Sequence, residues 1–249
     1  MADYLTKAGI AVLRYDDRHL KMNAKKAWQF TSQDFASDVQ STSEFLEDQS
    51  EIGNNKIGLI GHSEGGFIAS IVGTQNPNIA FIISLAGPGV SGKTIAINQA
   101  NDFNTSEIDK QYAIKAVEIV VNESDYKKRI KRLKQHLIKT YGWLNYFKNT
   151  RKRGLLSIAA SNWNKQFCES NPQDYWKQIT TAVLAINGDK DIQVKAHENL
   201  PVIEQALKQA ENPNYKIKTI KNANHLFQIN ETIDMRDYNA MFKDYFDSK

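Results

Sequence analysis

A serine hydroxyl becomes a useful nucleophile at neutral pH only when a base takes its proton, and that base works best when an acid orients it. One serine here sits in a setting suited to such chemistry. It is Ser63, within Gly61-His62-Ser63-Glu64-Gly65. Ile57 to Ile60 before it has the length and apolarity of a strand, and Phe67, Ile68, Ile71 and Val72 after it recur at helical spacing. Ser63 therefore falls on a strand-to-helix turn. Its glycine flanks allow close backbone approach, its hydroxyl projects above the sheet edge, and the following helix aims its first amides at developing negative charge. The alternative is a turn serine that only caps the helix.

Five histidines compete for the role of base. His62 adjoins the serine, and neighbours on a sharp turn point apart. His19 precedes the turn, His136 lies in a basic helical stretch, and His197 opens a predicted helix. His225, in Asn222-Ala-Asn-His-Leu-Phe227, follows the last predicted strand, where a sheet delivers side chains to its carboxyl edge. For the acid, Gly188-Asp-Lys-Asp-Ile-Gln-Val194 follows the preceding strand. Asp189 and Asp191 both qualify, and Asp191, further into the loop, is preferred. The order Ser63, Asp191, His225 is that of nucleophile-elbow hydrolases and of no other triad arrangement.

The elements that must position these residues read in sequence. Ala2 to Gly9 reads as a helix ended by glycine and Ile10 to Tyr15 as an apolar strand. Thr31-Ser-Gln-Asp34 is a capping box opening a helix whose face is Phe35, Val39 and Leu46. The strand, turn and helix around Ser63 follow, then an apolar run from Ile79 to Leu85. This alternation predicts a parallel sheet covered by helices on both faces. It stops after Gly89, and a mostly helical insertion runs to about Tyr175. Alternation resumes with Ala182 to Ile186 (strand), Ala196 to Ala210 (helix), Tyr215 to Ile220 (strand) and Glu231 to Phe246 (helix).

The 249 residues can bury one full core, with 41% apolar and 24% charged residues as in a soluble globular protein. A single cysteine, Cys168, excludes an internal disulfide. No apolar run is long enough to span a bilayer, and no basic-then-apolar leader is visible, which makes the cytoplasm the default compartment. Charge is unevenly placed. Tyr126 to Cys168 holds twelve Lys or Arg and no Asp or Glu, leaving 20 basic against 28 acidic residues elsewhere in a chain of net charge +4. Ile130, Leu133, Leu137 and Ile138 share a helical face there, so the first reading is a core-facing helix with a solvated charged side. The second is a surface that attracts anionic substrates, nucleic acid or acidic lipid. Trp143, Tyr146, Phe147 and Trp163 either line a pocket or pack the insertion.

Taken together, Tyr15-Asp-Asp-Arg18, Gly61-His-Ser-Glu-Gly-Gly66, Leu85-Ala-Gly-Pro-Gly89, Asn187-Gly-Asp-Lys-Asp-Ile-Gln-Val194 and Asn224-His-Leu-Phe-Gln228 resemble the α/β-hydrolases, closest to the bacterial esterase and serine-aminopeptidase-like group. The resemblance implies a hydrolase core at 1–89 and 176–249 and a helical cap at 90–175. It implies cleavage of carboxylic esters, less often amides, of a small-molecule substrate that the basic cap would suit if anionic. No metal, organic cofactor or nucleic-acid partner is implied, and oligomeric state is left open. Two departures stand out. His19-Leu-Lys-Met-Asn23 replaces the glycines usual after Asp-Asp-Arg. The strand and His-Gly or Ser-Gly loop that precede the first helix in the family have no counterpart, so the first strands are expected to be missing from an N-terminally shortened chain. That loop gives one oxyanion-hole amide, the other being the backbone N–H of Glu64. Loss of one donor costs on the order of 10²–10³ in rate.

Two rival readings remain. Gly87-Pro-Gly-Val-Ser-Gly-Lys-Thr94 fits the phosphate-loop pattern, with Lys93 for the terminal phosphates and Thr94 for magnesium. Alternatively the scaffold is a non-catalytic binding module that holds an anionic partner on its basic cap. The expected function is nonetheless an acyl-enzyme serine hydrolase, with Ser63 as nucleophile, His225 as base and Asp191 as orienting acid.

Overall fold

A computed structural model of the chain describes residues 2–18, 29–52, 57–103, 106–148 and 150–229. Its centre is a sheet of four strands, β1 (Gly58–His62), β2 (Phe81–Leu85), β3 (Ala182–Gly188) and β4 (Tyr215–Ile220), in the order β1-β2-β3-β4. All pairings are parallel, with Ile60 opposite Ile83, Ile83 opposite Leu184, and Leu184 opposite Lys216. The four runs match the sequence expectation within two residues at each end. A parallel arrangement brings every strand's carboxyl end to one edge of the sheet. Ser63, the Asp189–Val194 loop and the Asn222–Gln228 loop all leave from that edge.

Helix α1 (Ala2–Lys7) ends through Gly9, whose φ of 82° is the left-handed conformation glycine accepts most readily. Helix α2 (Ser32–Glu47) opens with the predicted capping box: Thr31 Oγ1 accepts from the Asp34 N–H, and the Asp34 carboxylate accepts from the Thr31 N–H. Helix α3 (Glu64–Gln75) packs on α2, β1 and β2, and helix α11 (Ala196–Gln209) packs on β3 and β4. Phe67, Ile71, Val72, Ile82, Ile203 and Leu207 meet in the resulting core, fully removed from water. Burying each such side chain contributes about 1.5–3 kcal/mol, which makes this cluster the main support of the sheet edge.

Between β2 and β3 the expected helical stretch forms α4 (Gly92–Phe103), α5 (Glu107–Asn122), α6 (Tyr126–Tyr141), α7 (Trp143–Lys148), α8 (Thr150–Ala159), α9 (Asn162–Glu169) and α10 (Gln173–Trp176). These helices build a second core from Ile119, Val120, Leu133, Leu137, Leu156 and Ala160. Of the apolar face its spacing predicted on α6, Leu133 and Leu137 are buried in this core and Ile130 packs against it. The same helix carries a buried cation, Arg129, whose guanidinium donates to the carbonyls of Ala160, Glu123 and Ser124 and to Asn162 Oδ1.

One predicted element does not form. Ile10 to Tyr15 has no strand pairing, and Ile10, Val12, Leu13 and Tyr15 are exposed. Extended backbone becomes a strand only when a neighbouring strand takes its N–H and C=O groups, and among the described residues none does so here; the Ile10 N–H turns back to the Leu5 carbonyl instead. The segment is fixed at its end instead: the Arg18 guanidinium pairs with both oxygens of Asp38 on α2 and lies over the Phe30 ring. The His19–Asn23 stretch and the predicted closing helix, Glu231 to Phe246, lie outside the described residues.

Candidate active site

The best-defined part of the site is a buried pair. His225 Nδ1 lies 2.7 Å from Asp191 Oδ2, and the two side chains are 4% and 0% exposed. Local chain geometry fixes both partners. The other Asp191 oxygen accepts the N–H groups of Gln193 at 2.8 Å and Val194 at 2.9 Å, so the carboxylate is held by backbone donors at the turn after β3. Asn224 Oδ1 accepts the N–H groups of Leu226 and Gln228, closing the turn that presents His225 after β4. The two loops lock together because Lys190 N–H donates to the Ala223 carbonyl. A Cβ on Gly188 would stand 2.0 Å from that same carbonyl oxygen, so only glycine permits this approach.

Asp189, the other acid candidate, does something different. Its Oδ1 accepts the Asn222 N–H at 2.7 Å, tying the end of β4 to the end of β3 without touching His225. In a neutral imidazole whose Nδ1–H donates to Asp191, Nε2 is the nitrogen that carries the lone pair.

Ser63 sits where the sequence placed it, between β1 and α3, with φ 55° and ψ −123°. A non-glycine residue in that region stores about 1–3 kcal/mol of strain, a cost that surrounding structure must hold in place. The restraints are visible: Ser63 N–H donates to the Leu85 carbonyl at 2.8 Å, and the Gly66 N–H donates to the Ser63 carbonyl at 2.9 Å. Gly61 comes so near the Gly65 carbonyl that a Cβ would lie 2.0 Å from its oxygen. Ser63 and the His225 ring make no hydrogen bond to each other among the described residues. Their loops meet through His62, whose Nε2 lies 2.8 Å from the His225 carbonyl oxygen and whose ring centroid lies 4.8 Å from that of His225. Partial desolvation lowers the His62 pKa, favouring the neutral ring as donor in that bond.

Of the remaining histidines, His136 is absorbed by packing. Its ring stacks on Tyr112 at 4.7 Å and its Nε2 contacts the Tyr112 carbonyl. His197 is 78% exposed beside Glu198, and His19 lies outside the described residues. Cys168 is buried, and that burial pushes its thiol up to about 12, far from thiolate chemistry at neutral pH.

The phosphate-loop pattern at Gly87–Thr94 is not built as a phosphate cradle. Four of its amides are already taken: the N–H groups of Gly89 and Val90 donate to Asn199 Oδ1, Gly92 N–H to the Ser170 carbonyl, and Thr94 N–H to Ser91 Oγ. A sequence pattern alone could not reveal this, because Asn199 lies 110 residues from Gly89.

Sequence reasoning also missed the Glu64 side chain. Its carboxylate accepts from Ser32 Oγ at 2.6 Å, at the start of α2, and from Trp163 Nε1 at 2.9 Å on α9. The residue after the serine thus joins the sheet layer to the helical segment between β2 and β3. Trp163, expected to line a pocket or pack the insertion, stacks on Phe167 within the insertion and supplies the bond.

Comparison with known proteins fixes the class. The structure of the α/β-hydrolase GrgF from Penicillium sp. sh18 is similar over 99% of this chain and 81% of that one, with TM-score 0.56 and 13% identity. A carboxylesterase of Nitrososphaera gargenis aligns over 96% and 82%, with TM-score 0.48 and 20% identity. No curated protein matches in sequence. The fold is thus the α/β-hydrolase fold, as the motifs implied. Residues 39–230 match the family described as BAAT / acyl-CoA thioester hydrolase C terminal, and the chain belongs to that family of hydrolases.

Proposed function

We propose that this hydrolase cleaves carboxylic esters or thioesters through an acyl-enzyme on Ser63, and that residues 90–175 act as its cap. The observation that carries the reading is the buried His225–Asp191 pair, held by backbone donors on loops that meet the turn of a strained serine through His62. A buried carboxylate is costly unless it has partners, and its remaining oxygen is spent on orienting one imidazole. That arrangement suits proton transfer better than structural support. Ser63 Oγ would attack the acyl carbon while its proton passes to His225 Nε2. The tetrahedral oxyanion would face the backbone N–H of Glu64 at the start of α3. Collapse breaks the bond to the alkoxide or thiolate, which takes the proton from His225. Water then enters, gives its proton to Nε2, attacks the acyl carbon, and releases the acid with Ser63 restored.

The family's description favours thioesters as the first class to try; the acyl chemistry is the same, with sulfur as the leaving atom. The test is intact mass after a fluorophosphonate, followed by turnover of an acyl-CoA against a p-nitrophenyl ester. A single adduct that is lost in Ser63→Ala and in heat-unfolded protein is the expected result. Absence of an adduct on folded protein overturns the catalytic reading and leaves the scaffold as a binding module.

A further inference from the structure

Helix α7 exposes large apolar side chains to water at a place the proposed chemistry does not use. Trp143 is 58% exposed, Leu144 74% and Phe147 58%, with Leu155 on the adjoining α8 at 50%. The Trp143 and Phe147 rings stack at 5.7 Å with 18° between their planes, so they form one apolar plate. Contiguous patches of this kind mark places where a protein meets something else. The rim is cationic. Lys134 Nζ lies 5.1 Å from the Tyr146 ring, joining α6 to α7, and Lys127, Lys128, Lys131 and Lys139 are exposed along α6. None of those four lysines pairs with a carboxylate among the described residues. Lys148, Arg151, Lys152 and Arg153 follow in sequence, within a stretch that has no acidic residue from Tyr126 to Cys168.

The choice of occupant follows from charge and chemistry. A second copy on the same patch would bring an equally basic rim against this one, which repels. Nucleic acid would match the charge, but the aromatic rings stack on each other, and exposed Leu144 and Leu155 offer nothing to a base edge or phosphate. A Trp-Leu-Phe plate ringed by lysines fits hydrocarbon beneath anionic headgroups, where aromatic rings settle at the interface and cations draw in the surface. We propose that the α6–α7 face docks this hydrolase on anionic lipid bilayers, lying on the membrane without crossing it. Consistent with this, no helix among the described residues is long and apolar enough to span a bilayer.

The experiment is co-sedimentation of the full chain with phosphatidylcholine vesicles, with and without phosphatidylglycerol, across a salt series. Binding is expected only with the anionic lipid and should weaken steeply as salt rises. Trp143→Ser/Leu144→Ser/Phe147→Ser should weaken it by roughly tenfold or more, because the apolar plate supplies part of the hold. Leu144→Ser alone, at the most exposed position, guards against misfolding of the triple variant and should show a smaller loss in the same direction. Ser63→Ala should bind vesicles unchanged, which separates this outcome from failure of the catalytic reading. No binding to anionic vesicles, or binding indifferent to both α7 variants, overturns the proposal. A shift from dimer to monomer in the triple variant, or retention of a single-stranded oligonucleotide in place of vesicles, assigns the face to those partners and overturns it equally.

Discussion

The loops after β3 and β4 and the helical segment between β2 and β3 each bury a formal charge, and they handle it differently. Asp191 is held by two backbone N–H groups and by one titratable ring, His225. Arg129 is held by three backbone carbonyls and an asparagine oxygen, with no proton-accepting partner in contact. Desolvation pushes the Arg129 guanidinium below its usual value, the direction expected when a cation is compensated by dipoles instead of a carboxylate. Backbone dipoles thus offset the desolvation cost in both places. What differs is whether anything in contact can move a proton, and on the proposed function the first serves chemistry while the second is a fastening.

Neutralising each buried charge in turn should separate the two. Asp191→Asn keeps the shape and should leave the fold in place. Its amide favours the wrong His225 tautomer, and fluorophosphonate labelling and turnover should fall by about 10⁴-fold, or ~5 kcal/mol of barrier. Arg129→Met should do the reverse. It removes the donor from four acceptors, of which the Ala160 carbonyl is buried, and removing one side of such a network costs about 3 kcal/mol of stability. Thermal melting and hydrogen exchange should register that loss first in α6 and α9, with labelling at low temperature little changed. If Arg129→Met abolished labelling while the fold stayed intact, the two charges would not differ in kind.

How much of this was legible beforehand depends on where the determining contacts lie along the chain. β1 to β4 were readable because each is a short apolar run between breakers, and the Ser63 turn because glycines flank it. Asp191 and His225 were readable because each follows a strand, and in a parallel sheet strand ends share an edge. The choice between Asp189 and Asp191 turns on a hydrogen bond that neither residue's neighbours encode. The Ile10–Tyr15 segment misled because apolar alternation states what a strand could bury and says nothing of whether a partner stands beside it. Arg129 was hidden among twelve basic residues, where composition reads as a solvated face. The phosphate-loop pattern likewise looked open until Asn199 filled it.

The smallest expected effect concerns the bond that links the two regions. Glu64 sits beside the proposed nucleophile, yet its carboxylate reaches Ser32 on α2 and Trp163 on α9. If the two regions were coupled only through the chain that joins them, Trp163→Phe would keep the ring's stacking on Phe167 and change nothing. If the indole N–H holds α9 against the sheet layer, the same change should cost about 1–2 kcal/mol, the usual worth of a hydrogen bond to a charged group. A double-mutant cycle with Glu64→Gln separates the cases, since only a direct bond gives a coupling energy beyond the sum of the single changes. Hydrogen exchange adds a direction to the result. Faster exchange in α9, with α3 unchanged, would show that the helical segment loosens from a sheet edge that stays ordered, and labelling of Ser63 should then fall by no more than about threefold.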